Sequence, residues 1–468
     1  MNTSDTLSSM DMYWEENIVP ALMKYIEIPA KSPAFDTNWE VNGFLEQALK
    51  LVETWVDDRK IPNLQKEVLR AEGRTPLLLL TMPGDLDYEV LMYGHLDKQP
   101  EMVGWAEDLA PWKAVRKGEK LYGRGGADDG YAIFASICVI EHLLKNKDPR
   151  PHIKIAIELS EESGSEDLPF YFQNFSNQFG NPKLVVCLDS GAGNYEQFWS
   201  TTSLRGLVSG VLDVKIINEG VHSGAASGIV PSSFRIARQI IDRIENSHTG
   251  EVKAFEDNIP PQRVEQAKMA AEALGEQVYK SFPWAGKPGP VTNDPGELLL
   301  NNTWRPALAV TGAEGLPEIA SAGNVLRPHT ALKLSLRLPP TKDAKSAAAE
   351  LKTLLETNPP YKAVVSYQLE DAASGWNAPE VSPKLEALIQ EASNTYYQKP
   401  ALARGEGGSI PFMGMLGDTF PEAQFIITGV LGPNSNAHGP NEFIHIEYAK
   451  KLTACIYHIM QGIEKKLL

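Results

Sequence analysis

The stretch Ile153–Ser165, IKIAIELSEESGS, constrains the fold of this chain more than any other. Ile153, Ile155, Ile157 and Leu159 alternate with Lys154, Ala156 and Glu158, the period of two expected of a half-buried strand. The strand ends in two adjacent carboxylates, Glu161 and Glu162. Ser163 and Glu166 then have the spacing of a capping box, which predicts a helix from there to about Phe179. Acids at the carboxyl end of a strand, just before a helix, sit where open α/β sheets bind their ligands.

The flanking sequence repeats this pattern. Tyr88–Gly94 reads as a buried strand running into His95-Leu96-Asp97, and Pro76–Thr81 as another joined to it through a Pro-Gly turn. Lys183–Leu188 is the continuous apolar run of a central parallel strand and ends in Asp189. Helices are predicted over Tyr13–Ile28, Val41–Val56 and Tyr131–Lys145, the last preceded by the glycine-rich LYGRGGADDG, Leu121–Gly130. After Trp376 the same texture resumes, with a helix over Pro383–Tyr397, a strand over Ala423–Thr428 and a closing helix over Ile446–Lys465. Strands alternating with helices imply a doubly wound mixed α/β sheet.

Between these halves the order changes to β-α-β-β-α-β, a ferredoxin-like α+β arrangement. Its strands are Leu207–Asn218, Ala307–Gly312, Thr330–Leu338 and Tyr361–Glu370, and its helices Val230–Ser247 and Ala344–Asn358. An insertion of about 249–305, with its own helix Pro261–Phe282, has the size of a lid or subunit contact. The chain therefore divides into 1–203, 204–374 and 375–468, the outer segments forming one α/β domain that the middle one interrupts.

With 44 basic against 60 acidic residues, a net charge of -16, the chain lacks the basic surface that nucleic acid or an anionic membrane requires. No apolar run reaches the length of a membrane span, and the first residues show no secretory signal, so a cytoplasmic protein is expected. Cys138, Cys187 and Cys455 lie in apolar surroundings without CxxC spacing and are expected to be reduced and buried.

Candidate metal ligands thus gather at one edge of one sheet: His95, Asp97, Asp128, Glu161, Glu162, Asp189 and His438. Imidazoles and carboxylates without cysteine suit zinc, cobalt or manganese. The acids outnumber what one tetrahedral zinc needs, whereas two ions bridged by a carboxylate use them. Taken alone, the glycine-rich loop could equally cradle a phosphate. No Walker motif, HExxH or GxSxG is present.

The stretches YGHLD, GRGGADDG, EESGS, CLDSG, VHSG, LSLRLPP, GEGGSIPF and AHGPNEFI, in this order, resemble one family. It is the co-catalytic metallopeptidase family of carnosinase, cytosolic dipeptidases, carboxypeptidase G, aminoacylase and succinyl-diaminopimelate desuccinylase. The resemblance implies that His95 and Asp189 hold one metal, Glu162 and His438 the other, and that Asp128 bridges both. Asp97 would orient His95, and Glu161 would be the general base. The middle domain would be a lid and dimerisation domain. In it His222 would reach a partner subunit's site to stabilise an oxyanion, and Asn324 and Arg337 would grip the substrate's carboxylate end. Gly408 and Ser409 would present backbone amides and a hydroxyl to substrate.

Two departures stand out. The relatives' D-D-K-G reads here Asp128-Asp129-Gly130-Tyr131, and their R-E-G-G-S has its arginine displaced by one, at Arg404, for which no substrate role is assigned. Aspartate at position 189, the long middle insertion and GGSIP resemble the dipeptidase and carnosinase branch. The resemblance therefore implies a homodimeric dipeptidase or aminopeptidase with two divalent ions, zinc foremost. The alternatives are an N-acyl amino acid amidohydrolase or a carboxypeptidase using the same site, and a non-catalytic binding protein, which would have lost a ligand or the base.

Overall fold

The computed structural model describes residues 3–408 and 411–466, so Ser409 lies outside the described residues. A six-stranded sheet runs in the order Gln65–Leu69, Leu77–Met82, His152–Glu158, Glu89–His95, Leu184–Cys187, Gln424–Ile427. The last four strands are mutually parallel, and the first two are antiparallel to their neighbours. The expected neighbours Leu77–Met82 and Glu89–His95 are separated by His152–Glu158, so the Pro-Gly turn between them does not close a hairpin.

Why the central strands read as unbroken apolar runs is visible in the packing. On His152–Glu158, Ile153, Ile155 and Ile157 face one core with the helices Tyr131–Asn146 and Ile446–Lys466, while Ala156 faces a second with Leu168–Asn174 and Pro411–Thr419. Both faces are covered, so both sets of side chains must be apolar. All three cysteines are free and buried. The amino-terminal helix starts earlier than its apolar spacing predicts, running as Thr3–Tyr13, Trp14–Ile18 and Val19–Ile26. Its end is closed by the buried Lys98, whose Nζ donates to the carbonyls of Tyr25 and Ile28 at 2.8 Å each.

The capping box expected at Ser163 does not form. Ser163 Oγ lies 2.5 Å from Ser32 Oγ and accepts the Ala34 N–H instead, and the helix begins at Leu168. Glu161–Ser163 is a single tight turn. At Gly130 a Cβ would stand 2.1 Å from the Tyr25 ring and 2.8 Å from the Gly125 carbonyl. No side chain fits there.

The second sheet has the order Ala307–Glu314, His329–Leu338, Gly206–Lys215, Val364–Ala373, antiparallel throughout. With Ser233–Ile241 and Ala344–Glu356 packed in its core, it is the ferredoxin-like arrangement. The insertion behaves differently from a lid carried on this unit. Its helices Pro261–Leu274 and Pro295–Thr303 place Ala267, Ala270, Leu274, Leu299 and Leu300 in the core of the large sheet. Arg263 donates to Asn377 Oδ1 and the Ala378 carbonyl, anchoring it there. Among the described residues, no helix is long and apolar enough to cross a membrane.

Candidate metal centre

The parallel strands of the large sheet end together, and their loops aim polar side chains at one point. His95 closes its strand level with Glu158 in the register, and Leu184–Cys187 leads two residues on to Asp189. Asp128 comes from the glycine-rich loop and is joined to Asp129 by a cis peptide bond. His438, with φ +62°, comes from the loop after Gln424–Ile427.

Asp128 stands between the two imidazoles: its Oδ1 is 3.4 Å from His95 Nε2 and its Oδ2 3.1 Å from His438 Nε2. On the far side of His95 are Asp189 at 3.7 Å and Glu161 at 4.0 Å, and beyond His438 is Glu162 at 3.4 Å. His95 is fully buried, while the His438 side chain is 54% exposed, so the contacts of His438 are the more screened.

Asp97 ties the parts together. Its carboxylate accepts the N–H groups of Glu161 at 3.1 Å and Glu162 at 2.9 Å, and its carbonyl lies 3.1 Å from His95 Nδ1. With Nδ1 so engaged, Nε2 faces the acids, buried and without a hydrogen-bond partner. Gln99 donates to Glu162 Oε2 at 2.6 Å.

The charges do not balance. Burial would raise the Asp128 carboxyl, but the imidazoles of His438 and His95 that face it hold it below the usual carboxylate range. Burial, with the charge of Asp128, lifts Glu162 to about 8, and burial lifts Asp189 to about 6 against the pull of His95. Burial and Asp189 raise Glu161 well above its ordinary value. Burial opposes charge on His438, yet its bond to Asp128 and the nearby Glu162 lift it to about 9. Two imidazoles thus keep Asp128 ionised but leave Glu161 and Glu162 drawn toward protonation, which added positive charge would reverse. An orphaned imidazole nitrogen within 4.8 Å of carboxylate oxygens is the donor set of a borderline divalent cation. The residues fit such an ion. A third acidic group, Asp11, Glu15 and Glu447, is instead crossed by Lys450, which bonds all three.

The centre opens into a cleft of about 440 Å³ lined also by Gln99, Gly191, Arg404, Glu406, Gly408 and Leu431. Of the residues singled out in the sequence, His95, Asp97, Asp128, Glu161, Glu162, Asp189 and His438 are brought together, and Gly408 borders them. His222 and Asn324 are not in this cleft. They sit beside each other where Val221–His222 pairs with Val325–Leu326, both exposed. Arg337 is half-buried near Arg205.

Sequence reasoning missed Arg404, Gln99 and two buried supports. In one, Glu442 accepts from Arg124 at 2.5 Å and from the Gly125 N–H at 2.9 Å, while Arg124 also donates to the Gly439 carbonyl. That clamp joins the Asp128 loop to the His438 loop. In the other, Glu158 accepts hydrogen bonds from Tyr93 and Ser165 behind the Glu161 turn. Their place within the motifs that carry Asp128, Glu161 and His438 was the available signal.

The profile of peptidase family M20/M25/M40 matches residues 91–462. The chain belongs to that family. As an M20-family chain it is a peptidase-type hydrolase. It is 24% identical over 376 residues to a cysteinylglycine-S-conjugate dipeptidase of Corynebacterium striatum, covering 77% of this chain and 79% of the relative. It is also 24% identical over 459 residues to a Cys-Gly metallodipeptidase of Saccharomyces cerevisiae, covering 91% of each. The fold matches the solved structure of the yeast dipeptidase Dug1p with a TM-score of 0.73 at 19% identity, covering 99% of this chain and 98% of that one.

Proposed function

We propose that this M20-family chain is a metal-dependent dipeptidase that hydrolyses the amide bond of short peptides with a free amino end. The observation that carries the reading is the placement of Asp128, one carboxylate facing two imidazoles that each face a further carboxylate. That arrangement supports two divalent ions, zinc foremost with manganese or cobalt also suited: His95 and Asp189 at one, Glu162 and His438 at the other, Asp128 at both. Bound there, the ions would supply Lewis-acid polarisation of the scissile carbonyl and acidify the attacking water.

The remaining work falls to side chains. Glu161 borders the cleft beside Asp189 and His95 and leaves His438 to Glu162, so its carboxylate is placed to take the water's proton and return it to the leaving nitrogen. Asp97 holds the Glu161 turn through the backbone and sets which nitrogen of His95 faces the metals. The dipeptide substrate is supported by the names of the two dipeptidase relatives and by the small cleft.

A domain of residues 204–374 that meets a second copy of the chain would bring His222 and Asn324 to the partner's cleft. Their exposure away from their own metal centre supports this. Sedimentation of active enzyme as a monomer at micromolar concentration would refute it.

The deciding experiment offers metal-loaded protein several dipeptides, each with a free amino end and again N-acetylated. Cleavage of the free forms alone is expected. Cleavage of the acetylated forms alone would make the enzyme a deacylase and remove the weight placed on Asp189.

A further inference from the structure

The metal cleft has a larger neighbour. A cavity of about 860 Å³ lies between the insertion and the two loops that carry Asp189 and His438. The insertion supplies one wall, with Leu274, Val278, Phe282, Trp284, Val291 and Leu298 as its apolar part and Gln277, Lys280, Ser281, Asn301 and Asn302 as its polar part. The opposite wall comes from Ala192–Gly193 and Leu431–Asn434. Arg404 and Leu431 line this cavity and the metal cleft alike, so the two spaces adjoin.

Both partitions are held. Arg404 donates to Glu406 Oε1 from Nη2 at 2.6 Å and from Nε at 3.1 Å, and lies over the Trp199 ring at 5.9 Å. The loops at 191 and 431 are bridged to each other. On the insertion's side, Leu274 is fixed in the apolar core and Val278 packs against it. At the mouth, Phe282 and Trp284 meet edge to face, 60% and 42% exposed. Two aromatic side chains left in water beside an apolar chamber lose least when something apolar covers them.

The metal cleft alone has room for the backbone of a short peptide, and small side chains would leave the adjoining chamber filled with water. We infer that the chamber is a specificity subsite of the proposed dipeptidase, taking one substrate side chain that is long and apolar or aromatic. The inference rests on the dipeptidase reading and deepens it. Because the chamber is remote from the reacting bond, its contribution is read in kcat/KM.

The test is a series of dipeptides in which one residue is glycine and the other alanine, leucine, phenylalanine or tryptophan, with each order of the two. The expected result is a rise in kcat/KM of roughly tenfold or more from alanine to the aromatic residues in one order. Val278→Trp, which fills the chamber, should erase or reverse that rise. The pair Phe282→Ser and Trp284→Ser, at exposed positions, should shrink it without needing the core to adapt. Melting curves for each variant identify any that fail to fold. A flat or falling series in both orders, or a series the folded variants leave unaltered, overturns the subsite while the dipeptidase reading stands. Hydrolysis of none of these dipeptides by metal-loaded enzyme overturns both.

Discussion

The two sheets of this protein solve burial in opposite ways. The large sheet is covered on both faces, so its central strands are mostly apolar and its polar chemistry gathers at the strand ends, where His95, Glu161, Glu162 and Asp189 are brought into contact. The four-stranded sheet is covered on one face. Gly206–Lys215 alternates buried and part-exposed residues, and Val310, Val364 and Leu369 are 51%, 69% and 48% exposed. The first sheet concentrates charge in a dry place, which shifts pKa values and creates a need for cations. The second keeps its charges in water and offers surface.

Glu161→Gln gives the largest expected break between them. It should lower kcat by about 10²- to 10⁴-fold with metal content unchanged, measured by steady-state kinetics and elemental analysis. Metal lost together with residual turnover would mean that Glu161 is a ligand. Next, Ile155→Ala and Leu334→Ala empty comparable buried sites in the two cores and should each cost about 2–5 kcal/mol in denaturant unfolding. Only Ile155→Ala, on the strand that leads to Glu161, should also lower turnover per folded molecule; equal losses would erase the distinction drawn here.

A smaller effect concerns pH. Burial lifts the Glu158 carboxyl from its ordinary 4.5 to about 7, so the folded state favours the protonated form. That contribution is complete below about pH 4.5 and is lost as the pH rises through 7. Glu158→Gln carries no such charge, so its Tm relative to wild type should improve between pH 5 and pH 8. A constant difference would show that the pair with Tyr93 is indifferent to charge. Smallest of all, Val310→Glu should change the stability of a single chain by no more than about 0.5 kcal/mol. A loss of self-association in sedimentation would show that a second copy covers this face.

How much of this was legible follows the same division. Period-two alternation and strand-end acids marked His95, Glu161, Glu162 and Asp189, because a two-sided sheet leaves its polar residues nowhere else to go. Gln65–Leu69 escaped notice because this edge strand is mostly exposed and has no apolar run. The capping box at Ser163 failed for a reason no local window holds: its hydroxyl is taken by Ser32 and Ala34, some 130 positions earlier. The insertion's amphipathic helices showed that they must pack, not which sheet would receive them. The Arg124–Glu442 clamp spans 318 positions, so its residues stood within the motifs while their pairing did not show.

The path of the insertion also limits how the parts can move. The chain passes between the two units four times, near 205, 257, 305 and 375, rather than twice. Three of these passages are gathered at one place. Arg205 donates to the carbonyls of Arg305 and Asn301 at 3.3 Å and of Gly407 at 3.2 Å, and a Cβ on Gly206 would stand 2.9 Å from the Gly375 nitrogen. The fourth is tied by Thr341, which donates to Asp257 Oδ2 at 2.5 Å. A door hung on two pins can swing about any line through them. With four pins, three of them in a cluster at Arg205, a rotation of one unit against the other disturbs least when its axis runs through that cluster.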